Sequence, residues 1–294
     1  MRDNTIISRS QLRQADGFVL VAVLWLTATL SALALVYALY VKSTASGIGA
    51  HEGRLRAELA TQAALELAAL RLESVPPAAR PHSGRFSFRL GDGANVTVDF
   101  SAEASRIDLN TAPKELLETF LSAISPDDRR VPDYVNAIIA WRTGRLNSGS
   151  NGGSGPQPRK FRSPTELAAV PSLPPELVRR ALPFVTVYSG MPKVDIWSAP
   201  ADALHFLPGL QPDRIPEILA EVGAPNPDPQ RLASLLGPAQ AYVSSEPPRA
   251  IRVRAHSELT NGFKSATEAV ILLFDQGREP YSVLTWNEDP YAQL

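Results

Sequence analysis

The sequence predicts an α+β fold: a long N-terminal transmembrane helix, then an antiparallel sheet interrupted by an inserted all-α domain of helical hairpins. Three patterns predict it. Phe18 to Val41 carries no charge over 24 residues. Polar and apolar residues alternate within 85–100 and again within 249–286, as half-buried strands require. Between them, from residue 105 to about 240, the apolar spacing becomes helical and is punctuated by proline.

The apolar run comes first. At 1.5 Å rise per residue it makes about 36 Å of helix, enough to cross a hydrocarbon core about 30 Å thick. It is longer than the core of a secretory signal, about 7 to 15 residues, although Ser43 to Gly47 are small enough for a cleavage site. A plain signal anchor explains the hydrophobicity but not the junction Asp16-Gly17-Phe18, where a polar leader stops at glycine and the apolar run starts. Beyond an interruption at Ser46, Gly47 and Gly49, Leu55, Leu59, Ala63, Leu67 and Leu70 recur at three- and four-residue steps. That spacing predicts one apolar stripe, with Glu58, Gln62, Glu66 and Arg71 facing elsewhere. Pro76-Pro77 ends the helix.

Arg85 to Leu90 and Val96 to Phe100, joined by Gly91-Asp92-Gly93, read as a β-hairpin. Further strands are predicted at Arg249 to Ala255, Ala266 to Phe274 and Tyr281 to Trp286, separated by Asn261-Gly262 and Gln276-Gly277. Strands split around a long helical segment suggest an insertion into a small α+β domain.

The helical block repeats itself. Ile107-Asp-Leu-Asn-Thr-Ala-Pro113 aligns with Val194-Asp-Ile-Trp-Ser-Ala-Pro200, which predicts Thr111 and Ser198 as helix N-caps. Leu167, Pro171, Leu173, Pro175 and Glu176 align with Leu204, Pro208, Leu210, Pro212 and Asp213. Ser163-Pro-Thr-Glu166 has the form of a capping box. The glycine-rich stretch 147–155 reads as a surface loop.

Composition removes whole classes of chemistry. The 294 residues include no cysteine, so disulfides, zinc ribbons, iron–sulfur clusters and thiol nucleophiles are excluded. Phosphate-loop, nucleophile-elbow and His-Glu-x-x-His motifs are absent, and His51, His82, His205 and His256 stand at no metal spacing, so no enzyme is expected. Each histidine reads as an isolated surface or interface residue. Asp127, Asp128 and Asp133 form the densest acidic group, read as turn and helix-start charges around Arg129-Arg130. With 29 Lys and Arg against 30 Asp and Glu, the net charge is −1.

A helix-hairpin-helix DNA receptor anchored in the membrane is the alternative reading of the block. Its turns, Ser172-Leu173-Pro174 and Gly209-Leu210-Gln211, lack the second glycine of that motif. Residues 101–240 hold 14 Lys and Arg and 15 Asp and Glu, and only Arg159-Lys160-Phe161-Arg162 and Arg179-Arg180 cluster. No nucleic-acid partner is therefore expected.

The junction Asp16-Gly17-Phe18 resembles the prepilin leader of type IV pilins and type II secretion pseudopilins. "DLNTAPKELL" and "ELAAVPSLPPELVRRALPFVTV" resemble stretches of the K-type minor pseudopilins of type II secretion systems. The resemblance implies a leader over 1–17, a transmembrane helix over 18–41, a spine helix and first hairpin of a pilin-like domain over 42–100, an inserted α-helical domain over 101–240, and strands over 241–294 that complete the sheet. It implies cleavage by a prepilin peptidase between Gly17 and Phe18, methylation of Phe18, and packing of the spine stripe Leu55, Leu59, Ala63, Leu67 and Leu70 against partner spine helices. Ala22 stands where most pilins carry glutamate, a departure shared by the K-type proteins, and Asp16 replaces a residue more often basic. The implied place is a bacterial inner membrane, single-pass, with the N-terminus cytoplasmic and the C-terminal domain periplasmic. The implied partners are the I- and J-type minor pseudopilins and the inner-membrane secretion platform. The calcium site of family relatives is not carried over, because Trp141 is followed by no acid until Glu166; no cofactor and no metal is expected.

Overall fold

A computed structural model describes residues 10–91, 93–125, 128–144, 159–275 and 279–288. The protein is mixed helix and sheet, and the chain divides into two compact units, Met1–Arg56 and Ala57–Leu294. The leader residues 1–9, the glycine-rich loop, Asp127 and Gln276-Gly277 lie outside the described residues.

Helix α1 (Ser10–Glu73) supplies the regular structure of the first unit and the opening of the second. The expected interruption is not there: Ser46, Gly47 and Gly49 are all helical. Each glycine costs about 1 kcal/mol relative to alanine, and with strong helix formers on both sides the helix propagates through. It stops at Glu73, ahead of Pro76-Pro77. Its last turn is closed by Arg80, a buried arginine whose Nε donates to the Leu72 carbonyl at 3.0 Å while its Nη1 meets Asp275 at 2.7 Å.

In the second unit a five-stranded antiparallel sheet has the order β1-β2-β7-β8-β9. Its strands are β1 (Ser83–Arg89), β2 (Asn95–Ala102), β7 (Ala250–Glu258), β8 (Lys264–Leu273) and β9 (Tyr281–Glu288). Alternation decides which face is covered. Val96 and Val98, then Ile251, Val253 and Ala255, then Ala269, Ile271 and Leu273 point one way and are buried. They pack on Ala60, Ala64, Leu65, Ala68, Ala69 and Leu72 of α1. The alanines bring the helix close to the strands, and Leu65 and Leu72 each contribute about 1.5 to 3 kcal/mol by full burial. This face of α1 differs from the leucine stripe: Leu59 and Leu70 remain 57% and 64% exposed, and Ala63 and Leu67 are half-buried.

β2 and β7 are neighbours in the sheet, yet residues 103–249 lie between them in the chain. This block has its own buried cluster, separate from that of the sheet. The expectation that it is all-helical needs correction. Besides α2 (Lys114–Ile124), α3 (Val131–Arg142), α4 (Pro175–Ala181), α5 (Ala201–Leu204), α6 (Ile215–Val222) and α7 (Pro229–Leu236), it holds two parallel strand pairs. β3 (Ile107–Asp108) pairs with β4 (Val185–Thr186), and β5 (Val194–Asp195) with β6 (Val243–Ser244). Each pair joins the start of one repeat to its end. Strands of two residues have no period to read, which is why the sequence pattern does not announce them.

The caps also differ from expectation. Pro113 and Pro200 occupy the cap positions of α2 and α5, both with extended backbone and neither with a side-chain cap. Thr111 Oγ1 instead donates to the Met191 carbonyl at 2.7 Å, and Ser198 Oγ donates to Asp195 Oδ2. Ser163 does cap, its Oγ accepting from Thr165 N, over a 3₁₀ turn at Pro164–Ala169. Glu166 accepts from Arg162 N at 3.0 Å.

Candidate assembly interface

Phe18–Tyr40 is the one described segment long and apolar enough to cross a membrane, and none of it is buried within the protein. Phe18 is 76% exposed and Trp25 70%. Its threonine and serine hydroxyls are satisfied internally: Thr27 Oγ1 donates to the Val23 and Leu24 carbonyls, Thr29 Oγ1 to Leu26, and Ser31 Oγ to Thr27, at 2.8 to 3.0 Å. No such donor needs water, which is the condition hydrocarbon imposes. Ala22 lies exposed on this helix, and Gly17 lies in its backbone one residue before the apolar run. Leu55, also in the first unit, is 52% exposed.

In the second unit, Leu59 and Leu70 leave an apolar surface on α1 that the sheet does not cover. Two residues read as turned away from that stripe tie the helix down. Glu66 accepts a hydrogen bond from Tyr281 Oη of β9 at 3.0 Å, and the Arg71 guanidinium lies 4.2 Å from the centre of the Phe86 ring on β1. Burial, reinforced by Glu66, pushes the Tyr281 hydroxyl up to about 12.

Where the sheet meets the helical block, the contacts are polar. Glu103, fully buried in a 3₁₀ turn after β2, accepts from Arg252 Nε and Nη2 at 2.8 and 2.6 Å and from Thr186 Oγ1 of β4. Arg252 also pairs with Glu268 of β8. Two aspartates anchor the repeats. Asp108 Oδ2 accepts from Ser189 Oγ at 3.0 Å and Gly190 N at 2.8 Å. Its counterpart Asp195 meets His82 Nδ1 at 2.8 Å. His82 is therefore not the isolated residue expected from its spacing: it ties the segment before β1 to the second repeat. The repeated Ile/Val-Asp motif was the one signal for this pair of aspartates. Glu103 stands in no motif, and its partners lie 83 and 149 residues away.

A cavity of about 330 Å³ lies at this junction, lined by Ala102, Ser189, Asp195, Ser244, Pro248 and Leu272. Asp195 spends both oxygens, on His82 and on Ser198, and Ser189 donates to Asp108. These groups hold the fold; Ser244 and Glu246 also line the cavity, with Glu246 N donating to Ser244 Oγ at 3.1 Å. Among the described residues there is no group of three or more His, Asp or Glu placed to hold a metal. Asp128 is a turn residue, accepting from Arg130 N and Tyr134 Oη at 2.9 and 2.8 Å. Trp141 stacks on Phe161 and lies under the Arg159 guanidinium at 4.5 Å.

Three of the arginines in the basic clusters of the block have partners within the protein. Arg179 and Arg180 both pair with Glu176, at 2.6 and 3.2 Å, and Arg159 covers Trp141. No family model matches the chain, and no curated protein matches it. The functional reading therefore rests on the residues themselves.

Proposed function

We propose that this protein is a minor pseudopilin resembling the K type, which caps the tip of a type II secretion pseudopilus and starts or regulates its assembly. The observation that carries the reading is the junction Asp16-Gly17-Phe18 at the mouth of a membrane-length apolar helix, in a chain whose α1 closes one face of an antiparallel sheet. Cleavage after Gly17 by a prepilin peptidase leaves Phe18 to Val41 as the inner-membrane anchor, with the remaining chain in the periplasm. The sheet is then the pilin-like domain, and residues 103–249, helices with two short parallel strand pairs, are the block inserted between β2 and β7. The role is assembly, not catalysis.

Two features favour the tip. A block as large as 103–249 beside the sheet hinders stacking of further subunits on that side. Ala22 offers no carboxylate to a neighbour's N-terminal amine, the pairing that makes a buried charge tolerable in a membrane bundle. The I- and J-type minor pseudopilins then meet the uncovered leucines, Leu55, Leu59 and Leu70, with Ala63 and Leu67 at the margin of the stripe.

The N-terminal sequence and mass of the membrane-expressed protein, with and without a prepilin peptidase, test this directly. A peptidase-dependent start at Phe18 supports the reading. A start at Met1 in both cases overturns it, and a start near residues 45–50 would indicate a released protein and revive the DNA-receptor alternative.

A further inference from the structure

The face of the sheet turned away from α1 carries an open cleft of about 450 Å³. Arg85 of β1, Asp99 and Ser101 of β2, Arg252 and Arg254 of β7, and Arg106 in the link after β2 line it. Four guanidinium groups thus meet one carboxylate in the lining. The other acids that balance them lie deeper. The side chains of Glu103 and Glu268 are 0% and 19% exposed, against 73% for Arg85 and 51% for Arg254. Solvent therefore meets chiefly Arg85 and Arg254, with Asp99 at 31% between them, while Arg252 and Arg106 are largely covered.

The arginines are held in a particular way. Arg85 Nε donates to Asp99 Oδ1 at 2.5 Å, Arg254 Nε to Glu268 Oε2 at 2.6 Å, and Arg106 Nε to the Pro183 carbonyl at 3.0 Å. Among the described residues the Nη edges of Arg85 and Arg254 make no hydrogen bond. Each guanidinium is oriented by its inner edge and keeps its outer edge, the one that binds carboxylates in a fork, for something else. Arg106 is short of compensation: burial and the neighbouring Arg252 bring it down to about 10.

Spacing selects the ligand. The strand register places Arg85, Asp99, Arg254 and Glu268 in one row across four strands, with alternating charge. Arg85 leans toward β2 and Arg254 toward β8, so their guanidinium groups are separated by about two strand spacings, roughly 10 Å. One small oxyanion does not bridge that distance, whereas carboxylates spaced along a polypeptide do. The alternating row also ends on a cation at β1, an edge strand whose outer side pairs with no other strand of the sheet. We propose that this cleft docks an acidic segment of a partner protein, whose carboxylates meet the outer edges of Arg85 and Arg254. The assignment belongs to the sheet and is independent of leader processing and of the secretion reading.

The test uses the full chain in detergent micelles and a fluorescent hexaglutamate peptide, read by anisotropy at low and high salt. The expected result is salt-sensitive binding that weakens about tenfold, or 1.4 kcal/mol, in Arg85→Ala/Arg254→Ala. The double variant Lys160→Ala/Lys264→Ala removes the same charge outside the cleft and should bind like the parent. Arg85→Glu alone, a change at a highly exposed side chain, should also weaken binding, which guards against a folding defect in the double variant. Absence of peptide binding, equal losses in the two double variants, or displacement of the peptide by an equal concentration of inorganic phosphate would each overturn the proposal. The last result would mean a small-anion site.

Discussion

Ser172 and Gly209 occupy the same position in two successive helical hairpins and share a left-handed backbone, with φ of +72° and +75°. In both turns the leucine that follows, Leu173 or Leu210, closes back on the residue three before it, Val170 or Leu207. The geometry is therefore a property of the repeat, and glycine fills it in only one copy. Left-handed backbone costs a non-glycine residue about 1 to 3 kcal/mol. Ser172→Gly is expected to raise stability by about 1 kcal/mol, less the added freedom of the unfolded chain. Gly209→Ala should lower it by more than the strain alone, because the new Cβ lies 3.1 Å from Pro238. Urea denaturation of both variants checks the pair; the same sign for both would refute the equivalence.

Glu103 is the hinge pin between sheet and block. Its removal leaves Arg252, mostly buried, with a single carboxylate partner, and removes the acceptor of Thr186. Glu103→Ala is expected to cost about 1 to 3 kcal/mol, the range for a buried polar group that loses a partner, because Glu268 still pairs with Arg252. Replacing Arg252 by methionine as well should recover part of the loss, since the cation that lost a partner is then gone. Chemical denaturation of the single and double variants measures both steps.

The same network gives an acid limb to stability. Burial alone would raise the Glu268 carboxyl, but Arg252 and Arg254 outweigh it and hold the group below its ordinary 4.5. A carboxylate depressed in the folded state stabilises above its unfolded value and loses that contribution as pH falls through the folded one. The urea midpoint should therefore drop as pH is lowered from about 5. In Glu268→Gln it should be lower at neutral pH and fall less steeply; an acid limb as steep as the parent's would assign the effect elsewhere.

Leu59 gives a test of the proposed assembly surface. At 57% exposure it contributes little to the fold, so Leu59→Glu should change stability by no more than about 0.5 kcal/mol. Co-purification with I- and J-type partners should be lost. A variant that melts normally and still co-purifies would move the interface off this stripe.

Much of the framework was legible in the residue order. An apolar run of membrane length, strands of eight to ten residues such as β2 and β8, and the terminating Pro76-Pro77 each carry a local signal strong enough to survive any tertiary setting. The leucine stripe of α1 was legible too, but not which face the sheet would take. Alanines 60, 64, 68 and 69 give a weaker pattern than leucines, and close approach to a sheet favours the small side chains. Thr111 and Ser198 misled for a related reason: a hydroxyl before Pro-x-x-x-Leu can cap a helix or tie down a loop, and Met191, 80 residues away, and Asp195, three residues before Ser198, took the two hydroxyls instead.

The local order of the chain determined the apolar helix, the strands, the hairpin turns and the duplicated Asp motif, because each depends on neighbours within a few residues. Tertiary structure alone decided the pairing of β3 with β4 and β5 with β6, the burial of Glu103 against Arg252, the bond of His82 to Asp195, and the row of alternating charge that ends at Arg85. Such pairings join residues as much as 149 positions apart. A single charged or two-residue element has no period to announce it, and its partner is set only by how the two buried clusters, one under the sheet and one in the block, come together.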